Sequence, residues 1–390
     1  MTGFRLINAP TFVPAYIYLI TGSTFMVGLA QALQQAGAIL SPILGASQVE
    51  QRKHVLSTAV LIGALMRVQL LGLAIAGWFL TGSALVFSSL LFLFLFGFFM
   101  GSQRVAFQVL LAKVIPIERR GTLQAWRNFA GGIVAALLSY WAGAVLIEQN
   151  SFGNGYATTF FVSFALTSLG LLILALMMRE PRALSVKAAT SIRQRLSELP
   201  ALLKDVGYTY FLVAQTLTMA GRIAIPFCII YVGRHMQLDG AAIGILTLAF
   251  LAADTVSNLL WGTLGDRLGF RIIFIASVVL WIAAFGVLLV SSETWQFLIS
   301  FAGLGAAFSG YRIASMTMVL EFGDREDLPM RIALSTTVET IMSTAGPLLG
   351  GLASVYFGLE PIFWASMAML GTGLLVLLVK VDEPRRRSSI

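Results

Sequence analysis

Apolar runs of about 18 residues or more, the length a helix needs to cross a hydrocarbon core, recur from one end of this 390-residue chain to the other. Charged residues make up 11% of the sequence, against about a quarter in a soluble domain. The runs are therefore not the overgrown core of an aqueous protein, and the chain reads as an all-α polytopic membrane protein. The pattern predicts helices over 4–20, 25–46, 55–80, 84–111, 122–147 and 158–178, then over 208–233, 239–262, 272–291, 295–321, 331–356 and 360–380. Between the two sets lies the one long polar stretch, 179–207, with Pro181, Pro200 and many charges. The expected organisation is a six-helix bundle over 1–178, a cytoplasmic linker over 179–207 and a second six-helix bundle over 208–390.

Lys and Arg test that layout. One set of loops carries Arg52, Lys53, Lys113, Arg119, Arg120, the linker cations, Arg267, Arg271, Arg325, Arg331, Lys380 and Arg385 to Arg387, whereas the opposite loops carry only Arg234. The asymmetry places both termini and the linker in the cytoplasm of a cell membrane and requires an even number of spans, which twelve satisfies. The formal charge of +8 is thus accounted for by topology, and no nucleic-acid partner is expected. The single cysteine, Cys228, lies in an apolar helix, and His54 and His235 sit in separate loops. A disulfide framework and a metal site are therefore not expected. No H-E-x-x-H, G-x-S-x-G or G-x-x-x-x-G-K-[ST] pattern occurs, so no enzyme activity or cofactor is expected. Gly303 and Gly305 read as helix-packing residues because no strand precedes them.

The halves repeat. Arg179-Glu180-Pro181-Arg182 ends the sixth helix and Asp382-Glu383-Pro384-Arg385 the twelfth. Gln103-Arg104-Val105-Ala106 in helix four matches Tyr311-Arg312-Ile313-Ala314 in helix ten, and Val27-Gly28-Leu29 matches Ile243-Gly244-Ile245. Helix one fits poorly: only four residues precede Arg5, about fourteen of helix seven precede Arg222, and Pro10 and Pro14 interrupt the remainder. The expectation is an incomplete first helix, with a short tilted one as the alternative.

Gly262 to Arg271 reads Gly-Thr-Leu-Gly-Asp-Arg-Leu-Gly-Phe-Arg between two apolar runs, so it is expected to be a hairpin connector. Gly262 is expected to allow close helix contact and Gly269 a turn with positive φ. Asp266 offers a carboxylate at a helix end, and Arg267 and Arg271 hold the loop at the cytoplasmic face. This G-x-x-x-D-R-x-G-x-R spacing, inside twelve apolar segments, resembles the signature loop of the major facilitator superfamily of secondary transporters. The first-half counterpart, Glu50-Gln51-Arg52-Lys53, is degenerate: the spacing is one residue longer and Gln51 replaces the second glycine. Gly346-Pro347 with Gly350-Gly351 resembles a family motif of exporters but stands in the other half, so it reads as a kink with close packing. The resemblance covers nearly the whole chain. It implies a monomer in the lipid bilayer that moves a small-molecule substrate by alternating access, with a coupling proton or other ion. It further implies a site midway between the halves and a cytoplasmic gate made of Gly262, Asp266, Arg267, Gly269 and Arg271 with Glu50, Arg52 and Lys53. Each latch is expected to reach the other half, Asp266 towards Arg119 to Thr122 and Glu50 towards Arg331.

Charges inside the spans mark the remaining candidates, since each costs at least ~2.5–3.5 kcal/mol at mid-bilayer and needs a cavity or a partner. Arg222 stands about 20 Å into helix seven. By the resemblance, helices one, four, seven and ten line the cavity, which makes Arg222, Arg104 and Arg312 substrate-cavity candidates. Gln31, Gln34 and Gln35 share one face of helix two, and Thr336, Glu339, Thr340 and Ser343 one face of helix eleven, polar stripes that are expected to line a wet cavity. Helix–helix hydrogen bonding is the alternative for both stripes. Asp254 and Glu339 are the carboxylates available for proton coupling, a salt bridge to an arginine being the competing role. Arg127 is expected to snorkel, and Arg67 either pairs within the packing or reaches inward. An excess of arginine favours an anionic substrate. The alternatives are proton-driven export of an amphipathic or cationic compound, and a facilitator-fold protein that serves in assembly or sensing.

Overall fold

A computed structural model describes residues 2–50, 55–114, 117–178, 203–322 and 328–383. The first apolar segment is broken: α1 (Thr2–Asn8) and α2 (Phe12–Thr21) flank the Ala9-Pro10 step. Proline has no N–H to donate and disfavours helical geometry in the residue before it. There follow α3 (Thr24–Glu50), α4 (Val55–Phe79), α5 (Gly82–Val114), α6 (Ile117–Trp141) and α7 (Gly155–Met177). Beyond α6 a π-helical turn continues over Ala142–Ile147. Helix seven is also broken, into α8 (Val206–Ala220), a 3₁₀ stretch Gly221–Phe227 containing Pro226, and α9 (Cys228–His235). The chain closes with α10 (Gly240–Leu268), α11 (Phe270–Val290), α12 (Thr294–Glu321), α13 (Leu328–Phe357) and α14 (Glu360–Val379).

Among the described residues, nine helices are long and apolar enough to cross a membrane. Helices α3 and α13, of 27 and 30 residues, are long enough but carry the Gln and Thr/Glu/Ser stripes. With the broken first helix, each of the twelve expected segments is helical. Large apolar side chains such as Phe79, Phe87, Leu176 and Phe357 stay exposed, as lipid-facing residues must. Polar ends supply the caps. Asn154 accepts from Ala157 at the start of α7, and Glu293 and Gln296 form a reciprocal capping box on α12.

One compact unit comprises Met1–Lys187 with Pro226–Leu248. Its spine is the contact of α3 with α5. A Cβ on Gly97 would strike the Gln34 carbonyl, and one on Gly101 would lie 2.7 Å from the Ala38 carbonyl. Small residues let the backbones touch, which is how helices associate where lipid removes the hydrophobic drive. Helix α4 packs on α5 and α7, and α1 on α6 and α7. Tyr16 stacks edge-on to Phe160 at 5.1 Å.

The second unit comprises Ala188–Ile225 with Ala249–Ile390. Here α11 packs along α12 and α14, and α8 along α13 and α14. A Cβ on Gly305 of α12 would strike the Phe250 carbonyl of α10. Close by, Trp261 Nε1 donates to the Ala306 carbonyl at 2.8 Å and Asn258 to Ser309 at 3.2 Å. An aromatic chain of Tyr208, Phe211, Phe274, Tyr311 and Trp281 fills the interior.

The connector between helices eight and nine is shorter than expected. Helix α10 continues through Leu268, so Gly262 to Leu268 form its last two turns and Gly269 alone makes the reversal, at φ +93°. Among the described residues the close contact expected of Gly262 is not found: a Cβ there would meet none of their atoms within 4 Å.

Candidate functional site

The membrane charges of the second unit gather around one aromatic clamp. The 3₁₀ turn at Gly221 swings Arg222 out of α8. Its guanidinium carbon lies 4.8 Å from the centre of the Phe308 ring and 5.6 Å from that of Trp281. Among the described residues its one hydrogen bond runs from Nη1 to the Met219 sulfur at 3.3 Å, a weak acceptor. Among the described residues it has no ion pair, although Glu339, Tyr311 and Arg312 act on its charge. The cation is half-buried, held by ring faces, with most of its five N–H groups unspent.

Glu339 faces the same region but is occupied. Its Oε1 accepts from Tyr311 at 2.6 Å and from Gln215 at 2.9 Å, and Gln215 in turn accepts from Ser335 at 2.9 Å. Among the described residues both of these hydrogen bonds fall on one carboxylate oxygen. The other polar groups of the stripe turn back on their own helix: Thr340 donates to the Thr336 carbonyl and Ser343 to that of Glu339.

Asp254, 4% exposed, meets Arg312 Nη2 at 3.3 Å, and Arg312 also covers the Phe308 ring at 5.5 Å. Asp254 is thus ion-paired with Arg312, whereas among the described residues Glu339 has no ion pair.

The first unit holds the other candidates. Gln34 is buried and donates to Asn8 Oδ1 at 2.9 Å, a tie between helices one and two, while Gln31 and Gln35 are half-buried. Arg104 is exposed. Arg67, 8% exposed, donates to the carbonyls of Thr167 at 2.7 Å and Gly63 at 2.6 Å and lies 5.0 Å over Phe4. It binds backbone and ring. Arg127 lies over Phe107 at 5.1 Å.

At the signature turn, Arg271 donates to the carbonyls of Leu377 and Leu378 at 3.1 and 3.0 Å, closing the end of α14. A Cβ on Gly269 would collide with the Glu383 carboxylate. Asp266 and Arg267 are exposed. The side chains of Arg119 to Thr122 and Glu50, and all of Arg52 and Lys53, lie outside the described residues. Arg331 pairs with Asp205 at 2.8 Å and covers Tyr208 at 4.7 Å, while Tyr208 donates to the Arg331 carbonyl at 2.7 Å. Asp205 also caps α8. Burial alone would raise its carboxyl, but the Arg331 guanidinium and the amides of Tyr208 and Gly207 hold it below the usual range.

Sequence reasoning missed the clamp. Phe308 was legible, four residues before Arg312 and so on the same helical face. Trp281 had no signal beyond being aromatic in an apolar helix. Among the described residues no three His, Cys, Asp or Glu side chains cluster as a metal site would need.

Residues 210–390 match the model of the Major Facilitator Superfamily. Multidrug resistance protein MdtG of Salmonella typhimurium is 25% identical over 334 residues, covering 84% of this chain and 78% of that protein. Citrate exporter 1 of Aspergillus niger is 24% identical over 156 residues, which span 40% of this chain and only 30% of the exporter. The crystal structure of a D-xylose-proton symporter superposes with a TM-score of 0.75 at 14% identity, covering 98% of this chain and 96% of that one. Twelve helical segments, the signature turn and these matches together give the chain the fold of the Major Facilitator Superfamily, to whose members its second half is similar in sequence.

Proposed function

We propose that the protein is a secondary transporter of a small anionic solute, with six-helix halves over 1–178 and 208–390 joined by the 179–207 linker. The observation that carries this reading is Arg222: a membrane-embedded guanidinium, gripped by two rings and one sulfur, without a carboxylate of its own. Such a charge costs several kcal/mol unless met, and a ligand carboxylate would meet it bidentately. Glu339, already engaged by Tyr311 and Gln215, is the group that would take up a coupling proton. The turn built on Gly269 and Arg271, with Asp266 and Arg267, would gate the cytoplasmic side. One relative is named for citrate export and another for multidrug resistance, and the rival reading, proton-driven export of an amphipathic cation, follows the second name through Glu339.

The test is binding and flux in proteoliposomes with small di- and tricarboxylates against an amphipathic cation. Arg222→Ala is expected to weaken carboxylate binding at least tenfold, with Arg222→Lys intermediate because it keeps the charge but not the fork. Cation flux that survives Arg222→Ala and fails in Glu339→Gln would establish the export reading instead. Absence of flux for both classes would favour the assembly or sensing role.

A further inference from the structure

Three separate ties converge at the end of α10 farthest from the signature turn, all within the first compact unit. The π-helical end of helix five lies backbone to backbone on the first turns of α10. A Cβ on Gly143 would stand 2.5 Å from Gly244 Cα, and one on Gly244 would stand 2.9 Å from the Tyr140 carbonyl. These are main-chain atoms, so no change of rotamer relieves the clash. Just beyond, Glu148 Oε2 accepts from the amides of Gly240 at 2.7 Å and Ala241 at 3.3 Å. Asp239 already caps the helix through Ala242 at 2.7 Å, so Glu148 takes the amides that Asp239 leaves open. Deeper in, Thr11 and Thr247, both fully buried, share a hydrogen bond of 2.7 Å.

We propose that Glu148, backed by the Gly143–Gly240–Gly244 contact, is the latch that closes the end of the transporter opposite the signature turn. A carboxylate is suited to this. It binds the positive end of a helix through two amides rather than one fixed partner side chain, and water can replace those bonds when the end opens. The glycines set how closely the helices seat, and the carboxylate holds them seated. Helix α10, 29 residues long, is about 43 Å from end to end, so one rod joins this latch to the signature turn. The proposal rests on the transporter reading but not on any substrate.

The experiment reads accessibility, which needs no substrate. Cys228, the one native cysteine, is replaced by serine, and Ser139→Cys is placed as a reporter where Ser139 lies buried beside Gly244. A membrane-impermeant maleimide is applied to proteoliposomes from each side in turn. Glu148→Ala is expected to speed labelling about fivefold, the order of effect of losing a helix-capping acceptor. Glu148→Gln, which keeps an acceptor without the charge, should give a smaller rise, and Gly143→Val the largest. The rise must be confined to the side facing this end, because loss of a merely structural cap would loosen the protein without sidedness. Unchanged rates in both Glu148 variants, or an equal rise from both sides, would overturn the proposal. Glu148→Gln is near-isosteric and carries the test even if Gly143→Val fails to fold. Failure here leaves the carboxylate assays of Arg222 untouched, and the converse also holds.

Discussion

Helices two and four of the first unit and helices eight and ten of the second are built on one plan and finished differently. In each pair a glycine of the later helix, Gly97 or Gly305, sits against a carbonyl of the earlier one, Gln34 or Phe250. In each, an arginine follows seven residues after that glycine, Arg104 or Arg312. One turn beyond the carbonyl the plans part: the earlier helix offers Ala38 in one pair and Asp254 in the other. Arg312 is therefore tied by an ion pair, whereas Arg104 is exposed. The shared backbone contact sets the helix spacing, and a single side chain decides whether the arginine is tied in an ion pair or left exposed.

The largest test of the common plan is steric. Gly97→Val and Gly305→Val should each cost about 3 kcal/mol, at the upper end of overpacking penalties, as measured by loss of thermal stability in detergent. Tolerance of one and not the other would break the equivalence. The divergence is tested by exchanging its determinant. Asp254→Asn should cost about 1–2 kcal/mol, less than a fully buried pair because the Arg312 side chain is 39% exposed. Ala38→Asp should gain up to about 1 kcal/mol by supplying Arg104 with a partner. A loss on Ala38→Asp would show that Arg104 does not aim at helix two as Arg312 aims at helix eight.

The smallest effect sharpens the second unit alone. The Asp205 carboxyl is held low in the folded state, so the unfolded chain takes up its proton first as pH falls. Its contribution is complete above the ordinary aspartate value of about 3.9 and is lost as pH drops through the lower folded value. Asp205 is partly solvated, so the loss should stay under about 1 kcal/mol. An acid melting series should show it, and Asp205→Asn should abolish it.

The helices were legible because the apolar runs alone dictate them, and helix ends agree with the pattern to within a few residues in most spans. The breaks were less so. Pro10 marked the first helix, but the 3₁₀ turn of helix seven needed Gly221 and Pro226 to be read together. Glycine had two outcomes at one motif: Gly269 makes the expected turn, while Gly262 meets no atom of the described residues where a close contact is expected, since sequence does not say which side of a helix has a neighbour. Charges were visible as candidates, but their partners were not. Asp205 with Arg331 and Arg271 with the α14 carbonyls join residues more than a hundred positions apart, and only the packed fold brings them together.

The grip of Arg271 on the last carbonyls of α14 has a mechanical corollary. That helix end is pinned to the reversal at Gly269, where Glu383 occupies the space a side chain would fill. A pull on the residues after Glu383, from a fused reporter or a bound protein, would thus be delivered to the hairpin of helices eight and nine. Tags placed there should be judged by whether they perturb flux, not only by whether the protein still folds.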